Sequence, residues 1–564
     1  MIRSAGNTKH PVRMRLVRAA SVVVAALGLL AGCVAIPSSG GVNQGPLVQN
    51  GGNGSIVDAP LGPQRNASKS NIFADFLQAA TSSTANYEIA REFLTAKASN
   101  SWDPTASVLI REKPASPVDV GANSFAYTVS TKASVNALGV YSEQATDSDE
   151  TLNYSFTKVK GQWRISGLPD GLVLSRDSFE NSFNDYPIYF FDPEYHYLVP
   201  DVRWFPTGTT VPNRIVAALL AGPADWLQGG AVSSALAGIK AGSPVSVRNN
   251  TAVVDLSADA ASAKALVLAR ISNQLNSSLD VTSLGISHVS ITAHGAPLAV
   301  ANPGLSNQRV AVAQNSPPLV EKGKQFGFSP RVTSLTISSQ IVSLNGSAVV
   351  LDHAQTAAAV LARLGVYRVT PSSAPKLVDG RSGLIAPSID PSGYVWSVPG
   401  NNAAAILAVG SDGTRHSISS TIPANSTIVS LDVSRDGTRV LIYLATGTGP
   451  RLIVAGIIRR AGVPTSLGPL LDLPVSSATP IDATWVDPST VAALNAASGE
   501  EAVTSYPIGG SPGEATTTEG AVHLVGAVDI DSLRLITSSG QLQQLRAGGW
   551  QDINATASIL ATQQ

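Results

Sequence analysis

The chain has 564 residues, of which 44% are hydrophobic and only 14% are charged, whereas about 25% of residues are charged in average soluble domains. Its net charge is −1 and it contains no long basic run, so it offers no face that could neutralise nucleic-acid phosphates, and no nucleic-acid partner is expected. At roughly 150 residues per domain, the length predicts three or four domains with sizeable cores.

The first 32 residues are organised as an export signal. Five basic residues precede an apolar run from Ala19 to Leu30, and the run ends just before Cys33, which is the only cysteine of the chain. An apolar run of about 12 residues is too short for a transmembrane helix, which needs ~20. A secretory signal that is removed without lipidation is the other alternative, and it leaves the position of the lone cysteine unexplained.

The segment Leu30–Cys33 resembles the lipobox of bacterial lipoprotein signal peptides. The resemblance implies cleavage between Gly32 and Cys33, so that residues 1–32 form the signal peptide. It also implies that Cys33 carries an S-diacylglycerol group and an N-palmitoyl chain, which place the protein in the lipid bilayer at the extracytoplasmic face of the cell membrane. No thiol then remains for a disulfide, so the exported domains rely on core burial alone.

Residues 33–70 combine the lipidated cysteine with a flexible linker. Residues 34–70 are rich in Gly, Ser, Pro, Asn and Gln and show no apolar periodicity. A flexible chain of this length has an r.m.s. reach of roughly 35 Å. The linker is therefore long enough to hold a folded body clear of the bilayer.

Residues 71–182 predict a small α+β domain. Apolar residues recur at helical spacing over 72–80, and a second short helix is expected over 87–94. From Ser107 onward the period changes to two, and Lys160-Gly161 marks a hairpin turn. Helices followed by a curved antiparallel sheet resemble the NTF2-like cone folds, which often hold a pocket.

Residues 185–300 predict an α/β domain. Two helical segments alternate with strand-like segments, and the first helix ends at Gly222-Pro223, where glycine and proline stop a helix. The segments Leu219–Pro223, Val254–Ser257 and His294-Gly295 resemble the GerMN domain of sporulation and germination proteins, although that family more often has Asp or Asn where His294 stands. The resemblance implies extracytoplasmic recognition rather than catalysis.

The remainder of the chain predicts a linker over 301–330 and an all-β domain over 331–560. Asn-Pro-Gly and Ser-Pro-Pro sequences mark the linker, and short Val/Ile/Leu strands then alternate with Gly, Asp and Ser turns. Turn markers recur at intervals of 44 to 51 residues, a period typical of a β-propeller; they are Asn345, Asp390, Asp436, Asp487 and Asp531. Five markers indicate five or six blades, and residues 354–364 are expected to form a short helix or a helix-like loop.

No catalytic constellation is visible in the sequence. It contains no G-x-S-x-G, H-E-x-x-H or P-loop motif, and its seven histidines are scattered. Each Asp-x-x-Gly turn offers only one or two oxygen ligands, so neither a metal site nor a cofactor is expected. Asp255 is a candidate functional carboxylate, but we favour a cap for the helix that follows or a turn partner, because Asp is a preferred capping residue.

The order of lipobox, α+β domain, GerMN domain and propeller identifies the chain as a member of the actinobacterial lipoprotein LpqB family. The resemblance is strongest at Leu30–Cys33, at residues 71–104 and at the GerMN motifs. It implies a membrane-anchored, non-catalytic accessory or regulator of a two-component sensor kinase (MtrB-like), which acts on the extracytoplasmic domain of that kinase and affects cell division and cell-wall homeostasis.

Two other functions stay open. A propeller hydrolase acting on cell-wall glycans would need two carboxylates about 5–10 Å apart, which propeller loops could supply, but the sequence identifies no such pair. A receptor would bind a small molecule or a wall fragment in the pocket of the N-terminal domain or in the cleft of the GerMN domain.

Overall fold

The computed structural model describes residues 60–301, 308–313, 317–330 and 332–564. The signal peptide, Cys33 and most of the predicted linker lie outside the described residues, so their assignments stay predictions. The described residues belong to one compact unit, Ser55–Gln564, in which three domains follow one another along the chain. No helix in these ranges is long and apolar enough to cross a membrane.

The N-terminal domain packs helices against a six-stranded sheet with the order β5-β4-β3-β1-β6, in which β2 also pairs with β3. An α+β domain is thus confirmed, but β1 and β6 run parallel, so the sheet is not wholly antiparallel as expected. Its elements are α1 (Lys69–Ala79), α2 (Glu88–Glu92), α3 (Ala96–Ser101), β1 (Ser107–Arg111), β2 (Val118–Gly121), β3 (Ser124–Asn136), β4 (Tyr141–Val159), β5 (Gln162–Gly167), β6 (Leu172–Ser175) and α4 (Arg176–Ser182).

This domain begins inside the predicted linker. Ser68 caps α1 by accepting a hydrogen bond from the backbone N–H of Asn71 at 3.1 Å, so the helix starts earlier than the apolar pattern indicated. Upstream, the backbone N–H of Asn66 donates to the side chain of Gln162 at 2.6 Å. Phe73 of α1 anchors the core, because its ring makes edge-to-face contacts with Phe125, Tyr127 and Tyr154.

The second domain has two sheets, with the orders β12-β11-β10-β9 and β13-β8-β7. The predicted alternation of strands and helices is present, and α5 ends at Gly222, whose φ of 97° is readily adopted only by glycine. Its elements are β7 (Phe183–Phe191), β8 (Tyr197–Pro206), α5 (Val211–Ala221), β9 (Ala241–Arg248), β10 (Thr251–Leu256), α6 (Ala258–Ala261), α7 (Ala265–Leu279), β11 (His288–Ala293), β12 (Ala296–Pro297) and β13 (Arg309–Val310).

Asp192, in the connection between β7 and β8, gives this domain a testable pH dependence. Its carboxylate is buried and accepts hydrogen bonds from the backbone N–H groups of Tyr197 at 2.5 Å and Glu194 at 3.3 Å. Burial raises the pKa of Asp192 to about 6. A raised pKa means that the folded state holds the proton of Asp192 more tightly than the unfolded state does. The stabilisation that protonation provides is therefore fully present below about pH 4 and is lost as the pH rises through 6.

We therefore expect the wild type to gain about 1 kcal/mol between pH 7.5 and pH 5 relative to Asp192→Asn. Urea unfolding of both proteins at the two pH values measures this difference, and groups common to both proteins cancel. An identical pH dependence in the two proteins would show that Asp192 does not titrate in this range.

The third domain is a propeller of six four-stranded blades. Five blades are consecutive in sequence, and the sixth combines β14–β16 with the C-terminal strand β37. The strands and the one helix among the described residues of this domain are β14 (Leu319–Lys322), β15 (Gln325–Phe328), β16 (Thr333–Ser334), α8 (Ser338–Ser343), β17 (Ala348–Leu351), β18 (Ala358–Ala362), β19 (Gly365–Thr370), β20 (Ser373–Asp379), β21 (Ser388–Ile389), β22 (Val395–Ser397), β23 (Leu407–Val409), β24 (Arg415–Ser417), β25 (Thr427–Val433), β26 (Arg439–Thr446), β27 (Gly449–Arg460), β28 (Val463–Leu473), β29 (Thr479–Trp485), β30 (Thr490–Ala497), β31 (Glu500–Pro507), β32 (Thr516–Thr518), β33 (Ala521–Val525), β34 (Arg534–Thr537), β35 (Gln541–Arg546), β36 (Gly549–Thr556) and β37 (Ile559–Gln563).

Two segments of the propeller differ from the sequence-based expectation. Residues 319–328, expected in a linker, form two strands of the closing blade, because Leu319 pairs with Ala561 and Glu321 with Ile559. Residues 354–364, expected to be helical, contain β18, which pairs on both sides with β17 and β19. The backbone groups of β14 are satisfied by a strand more than 200 residues away, which local sequence patterns do not reveal. Those of β18 are satisfied by the strands directly before and after it in the chain.

The propeller is joined to the other two domains by polar contacts and by a shared apolar cluster. The indole N–H of Trp204 in β8 donates to the carbonyl of Gly509 at 2.6 Å, and Arg176 of α4 donates to the hydroxyl of Ser511 at 2.7 Å. Gly456 of β27 permits a close approach, because a Cβ there would lie 2.6 Å from the Cβ of Ala231 in the second domain. The three domains therefore form a single packed body.

Candidate functional site

The innermost strands of the six blades, of which β37 is that of the closing blade, surround a central cavity that we call the funnel. Its volume is about 620 Å³, within the range of roughly 300–1,000 Å³ found for ligand pockets. Every blade contributes to its wall; the lining residues are Ser347, Ala348, Leu361, Ala386, Val429, Ile481, Asp482, Val522, His523, Ile536 to Gly540 and Ala557 to Leu560.

An ion pair lies in the wall of the funnel. The Nδ1 atom of His523 on β33 is 2.5 Å from an oxygen of Asp482 on β29. The same oxygen accepts from the backbone N–H of Leu524 at 2.9 Å, and the other accepts from the N–H of Ala483 at 2.9 Å. Asp482 therefore fixes the imidazole by its Nδ1 side, and no described residue bonds to Nε2.

The protonation of His523 is set by two opposing effects. Burial disfavours the charged imidazole, but the neighbouring carboxylate of Asp482 outweighs burial and raises the pKa of His523 above its usual value. The side chain keeps 30% of its surface exposed, so solvent and solutes reach it from the funnel. His523 is thus a candidate cation at neutral to mildly acidic pH.

The other end of the channel is closed by a set of side chains that we call the plug: Ser388, Asp432, Arg435, Thr484 and Gln564. Asp432 accepts hydrogen bonds from the Nε2 of Gln564 at 3.1 Å and from the hydroxyls of Ser388 at 3.2 Å and Thr484 at 3.3 Å. Arg435 donates to the carbonyls of Gln563 and Gly526. The plug is buried, so the funnel is open at one end only.

Burial changes the titration of both charged groups of the plug. Burial raises the pKa of Asp432, and the nearby Arg435 acts against this change. Burial lowers the pKa of Arg435, and Asp432 acts against that change. Each charge therefore supports the ionised form of the other, as buried ionic groups require.

The residues singled out from the sequence do not lie in the funnel. Asp390 accepts from the backbone N–H of Tyr394 at 2.9 Å, and Asp436 from that of Thr438 at 2.9 Å, so these two markers act as turn residues, as their sequence pattern predicts. At the last marker, Asp531, the side chain that caps the turn is instead that of Asp529. Asp255 accepts from the hydroxyl of Thr292 at 2.7 Å and the N–H of Gly295 at 2.8 Å. Asp255 is thus a turn partner and does not cap the helix that follows.

Sequence reasoning missed Asp482 and His523 as a pair. In the sequence His523 is one of seven scattered histidines, and nothing in the local pattern marks Asp482. The two residues are 41 positions apart, close to the spacing of the turn markers, and they lie on the first strands of adjacent blades. A search for chemically complementary residues separated by one repeat would have found them.

The cavities of the other two domains are smaller. A cavity of about 20 Å³ lies where the N-terminal domain meets the second domain, beside Tyr87 and Arg214, and it has room for about one water molecule. A cavity of about 130 Å³ lies beside His288 in the second domain. Within the described ranges, no group of three or more His, Cys, Asp or Glu residues is placed to hold a metal ion.

Comparison with known families matches all three domains. The model described as the N-terminal domain of lipoprotein LpqB matches residues 62–180. The model described as sporulation and spore germination matches residues 187–299. The model described as the lipoprotein LpqB beta-propeller domain matches residues 333–559.

Among similar proteins, a lipoprotein LpqB from Cutibacterium acnes is 34% identical over 221 residues, which cover 38% of this chain and 35% of that protein. One from Thermobifida fusca is 31% identical over 267 residues, covering 44% of this chain and 42% of that protein. One from Nocardia farcinica is 30% identical over 214 residues, which cover 36% of this chain and 34% of that protein. The alignments therefore span between about a third and two fifths of the relatives' length.

Solved structures share distant similarity with the chain. A putative TolB from Agrobacterium tumefaciens is 14% identical, with a TM-score of 0.30, and the match covers 38% of this chain and 85% of that one. The hydrazine synthase of Kuenenia stuttgartiensis is 11% identical, with a TM-score of 0.26, and the match covers 38% of this chain and 68% of that one.

Proposed function

Because the chain belongs to the lipoprotein LpqB family, we propose that it is a membrane-anchored extracytoplasmic accessory protein of a two-component sensor kinase (MtrB-like). In this proposal Cys33 anchors the protein in the outer face of the cell membrane. The folded body contacts the extracytoplasmic domain of the kinase and thereby affects cell division and cell-wall homeostasis. The observation that carries the proposal is the family match across all three domains in the expected order.

The packing of the domains supports a recognition role. Contacts through Trp204, Arg176 and Ser511 hold the N-terminal and second domains against the propeller, so a partner meets one body with a fixed surface. Such pre-organisation lowers the entropic cost of association.

The funnel supports a non-catalytic role. Glycoside hydrolysis requires two carboxylates about 5–10 Å apart. Of the described residues that line the funnel, Asp482 is the only one with a carboxylate, and its oxygens already accept hydrogen bonds from His523 and two backbone N–H groups. A propeller hydrolase would need a second carboxylate there.

A binding experiment with purified components tests the kinase proposal. The mature protein is immobilised, and the purified extracytoplasmic domain of the MtrB-like kinase from the same bacterium is passed over it. We expect saturable binding, and no binding of the extracytoplasmic domain of an unrelated sensor kinase. Absence of binding with both the lipidated and the unlipidated protein would contradict the proposal.

A receptor for a small molecule or a wall fragment is the second candidate function. It is favoured by the size of the funnel and by the fixed ion pair in its wall. This function is compatible with the first one, since a ligand-binding domain on the same rigid body could act on kinase docking.

A further inference from the structure

The funnel opens on the side of the propeller that faces away from the other two domains. The plug lies where β29 ends, because the N–H of Trp485 approaches Asp432 at 3.4 Å. β31 runs in the same direction as β29, since both pair antiparallel with β30. The contacts at Gly509 and Ser511 follow the end of β31 and therefore lie on the plug side. The mouth lies on the opposite side from these contacts.

The polar groups of the funnel are the Asp482–His523 pair and several hydroxyls. Asp482 already accepts three hydrogen bonds, from His523 and from the backbone N–H groups of Ala483 and Leu524. The Nε2 atom of His523 carries a proton when the ring is charged. Ser538, Ser539 and Ser558 are exposed in the same lining. The hydroxyl of Ser558 already donates to the carbonyl of Glu321 at 3.0 Å, and that of Ser539 pairs with Thr537 at 2.9 Å, so the charged His523 and the hydroxyl of Ser538 are the groups that offer donors to a ligand. A ligand that matches this wall presents acceptor oxygens.

The rest of the wall is apolar. Val429, Ile481, Ile536 and Leu560 contribute aliphatic surface from four different blades. No lysine or arginine is among the described lining residues, so His523 is the cationic group available there. A ligand that fits both surfaces combines one anionic oxygen group with an apolar body.

We infer that the funnel is a binding site for a small carboxylate with an apolar body, whose carboxylate bonds to Nε2 of His523. This inference rests on the receptor function proposed above and is independent of the kinase partner. Two sources share this chemistry: a free acylated amino acid, and the carboxyl-terminal end of a peptide, which can enter the blind funnel only by its end. The apolar body packs on Ile481 and Ile536.

The inferred site has a defined pH dependence. When His523 loses its proton, Nδ1–H remains bonded to Asp482 and Nε2 becomes an acceptor, which repels a carboxylate. The charged groups that act on His523 are Asp482 on β29 and Asp432 on β25, while the lining segments of β17, β34 and β37 contribute no titratable side chain. Affinity should therefore fall about tenfold per pH unit above the pKa of His523, which Asp482 raises above its usual value.

Calorimetry with the full mature protein at pH 6 tests the site. The probes are N-acetyl-leucine and the peptide Ala-Ala-Ala-Leu, each with a free carboxylate and as the amide. We expect binding of at least one carboxylate and at least tenfold weaker binding of its amide. Binding of N-acetyl-leucine would identify free acids as the ligands, and binding of the peptide alone would identify chain ends.

Three variants separate a specific site from an adventitious one. His523→Gln and Val522→Trp, the latter at an exposed position of the mouth, should each weaken carboxylate binding at least tenfold. The matched control His196→Gln, on an exposed side chain of the second domain, should not change it. Thermal unfolding checks that the variants are folded. If His523→Gln disturbs the fold, Val522→Trp still tests the site, because it leaves the ion pair intact.

The inference is overturned if neither carboxylate binds at millimolar concentration, if acid and amide bind equally, or if His523→Gln and Val522→Trp both bind like the wild type. Kinase docking is measured with the same variants without a probe. Docking that persists in His523→Gln while carboxylate binding is lost separates the two functions, so that failure of one does not imply failure of the other.

Discussion

Replacement of Cys33 by alanine is expected to move the protein from the membrane fraction to the soluble fraction while leaving the three domains folded. Two or three acyl chains, at ~0.8 kcal/mol for each buried CH₂ group, anchor a protein stably, whereas one chain does not. Without the thiol no thioether can form, so the lipid anchor predicted at Cys33 is lost.

Fractionation of cells that express the wild type or Cys33→Ala measures this effect, and metabolic labelling with an alkyne fatty acid reports the acylation. The matched control is Ser38→Ala in the predicted linker, which should remain in the membrane and remain labelled. A Cys33→Ala protein that has lost residues 1–32 and still sediments with the membrane would show that the lipobox assignment is wrong.

Replacement of Arg203 by methionine is expected to destabilise the protein by about 3–5 kcal/mol, the range for breaking a buried ion pair. Arg203 and Asp201 are both almost fully buried, at 1% and 3% side-chain exposure, and are joined by two hydrogen bonds of 2.6 and 3.0 Å. Arg203 also donates to the carbonyls of Leu138 and Gly222. The substitution leaves the Asp201 carboxylate buried, with the N–H of Ala224 as its one remaining partner among the described residues.

Urea unfolding measures the loss, and a double-mutant cycle identifies its cause. Asp201→Leu should also cost several kcal/mol, but the double variant should be much more stable than the sum of the two losses predicts, because no unpaired charge remains. The exposed pair Arg451–Asp472, with distances of 2.8 Å, is the control, and Arg451→Met should cost less than about 1 kcal/mol. Additive losses at 201 and 203 would show that the pair is not coupled.

Local features of the fold were predictable because they depend on neighbours in the chain. Lys160-Gly161 and Asn249-Asn250 both form hairpin turns with positive φ at both residues, as glycine and asparagine permit. The first helix of the second domain ends at Gly222 as predicted. The repeat of turn markers indicated the propeller, and the family model for residues 333–559 confirms it.

Features that depend on pairing between strands far apart in the chain are not predicted by the sequence, or are predicted only as a range. The sequence limits the number of blades only to five or six, because the sixth blade forms only when β37 pairs with β14, more than 200 residues earlier in the chain. The parallel pairing of β1 with β6 was missed for the same reason. Nothing in the sequence near Leu319 distinguishes a paired strand from a linker rich in proline.

By itself, the sequence determined the domain order, the anchor expected at Cys33 and the turns, since these follow from composition and from residues a few positions apart. Only the tertiary structure decided that Asp482 and His523 form an ion pair, that the plug closes one end of the channel, and that the domains pack as one body. The physical reason is that hydrogen bonding and burial in a propeller join strands that are one blade or more apart, and one strand cannot specify the side chain that its neighbour will present.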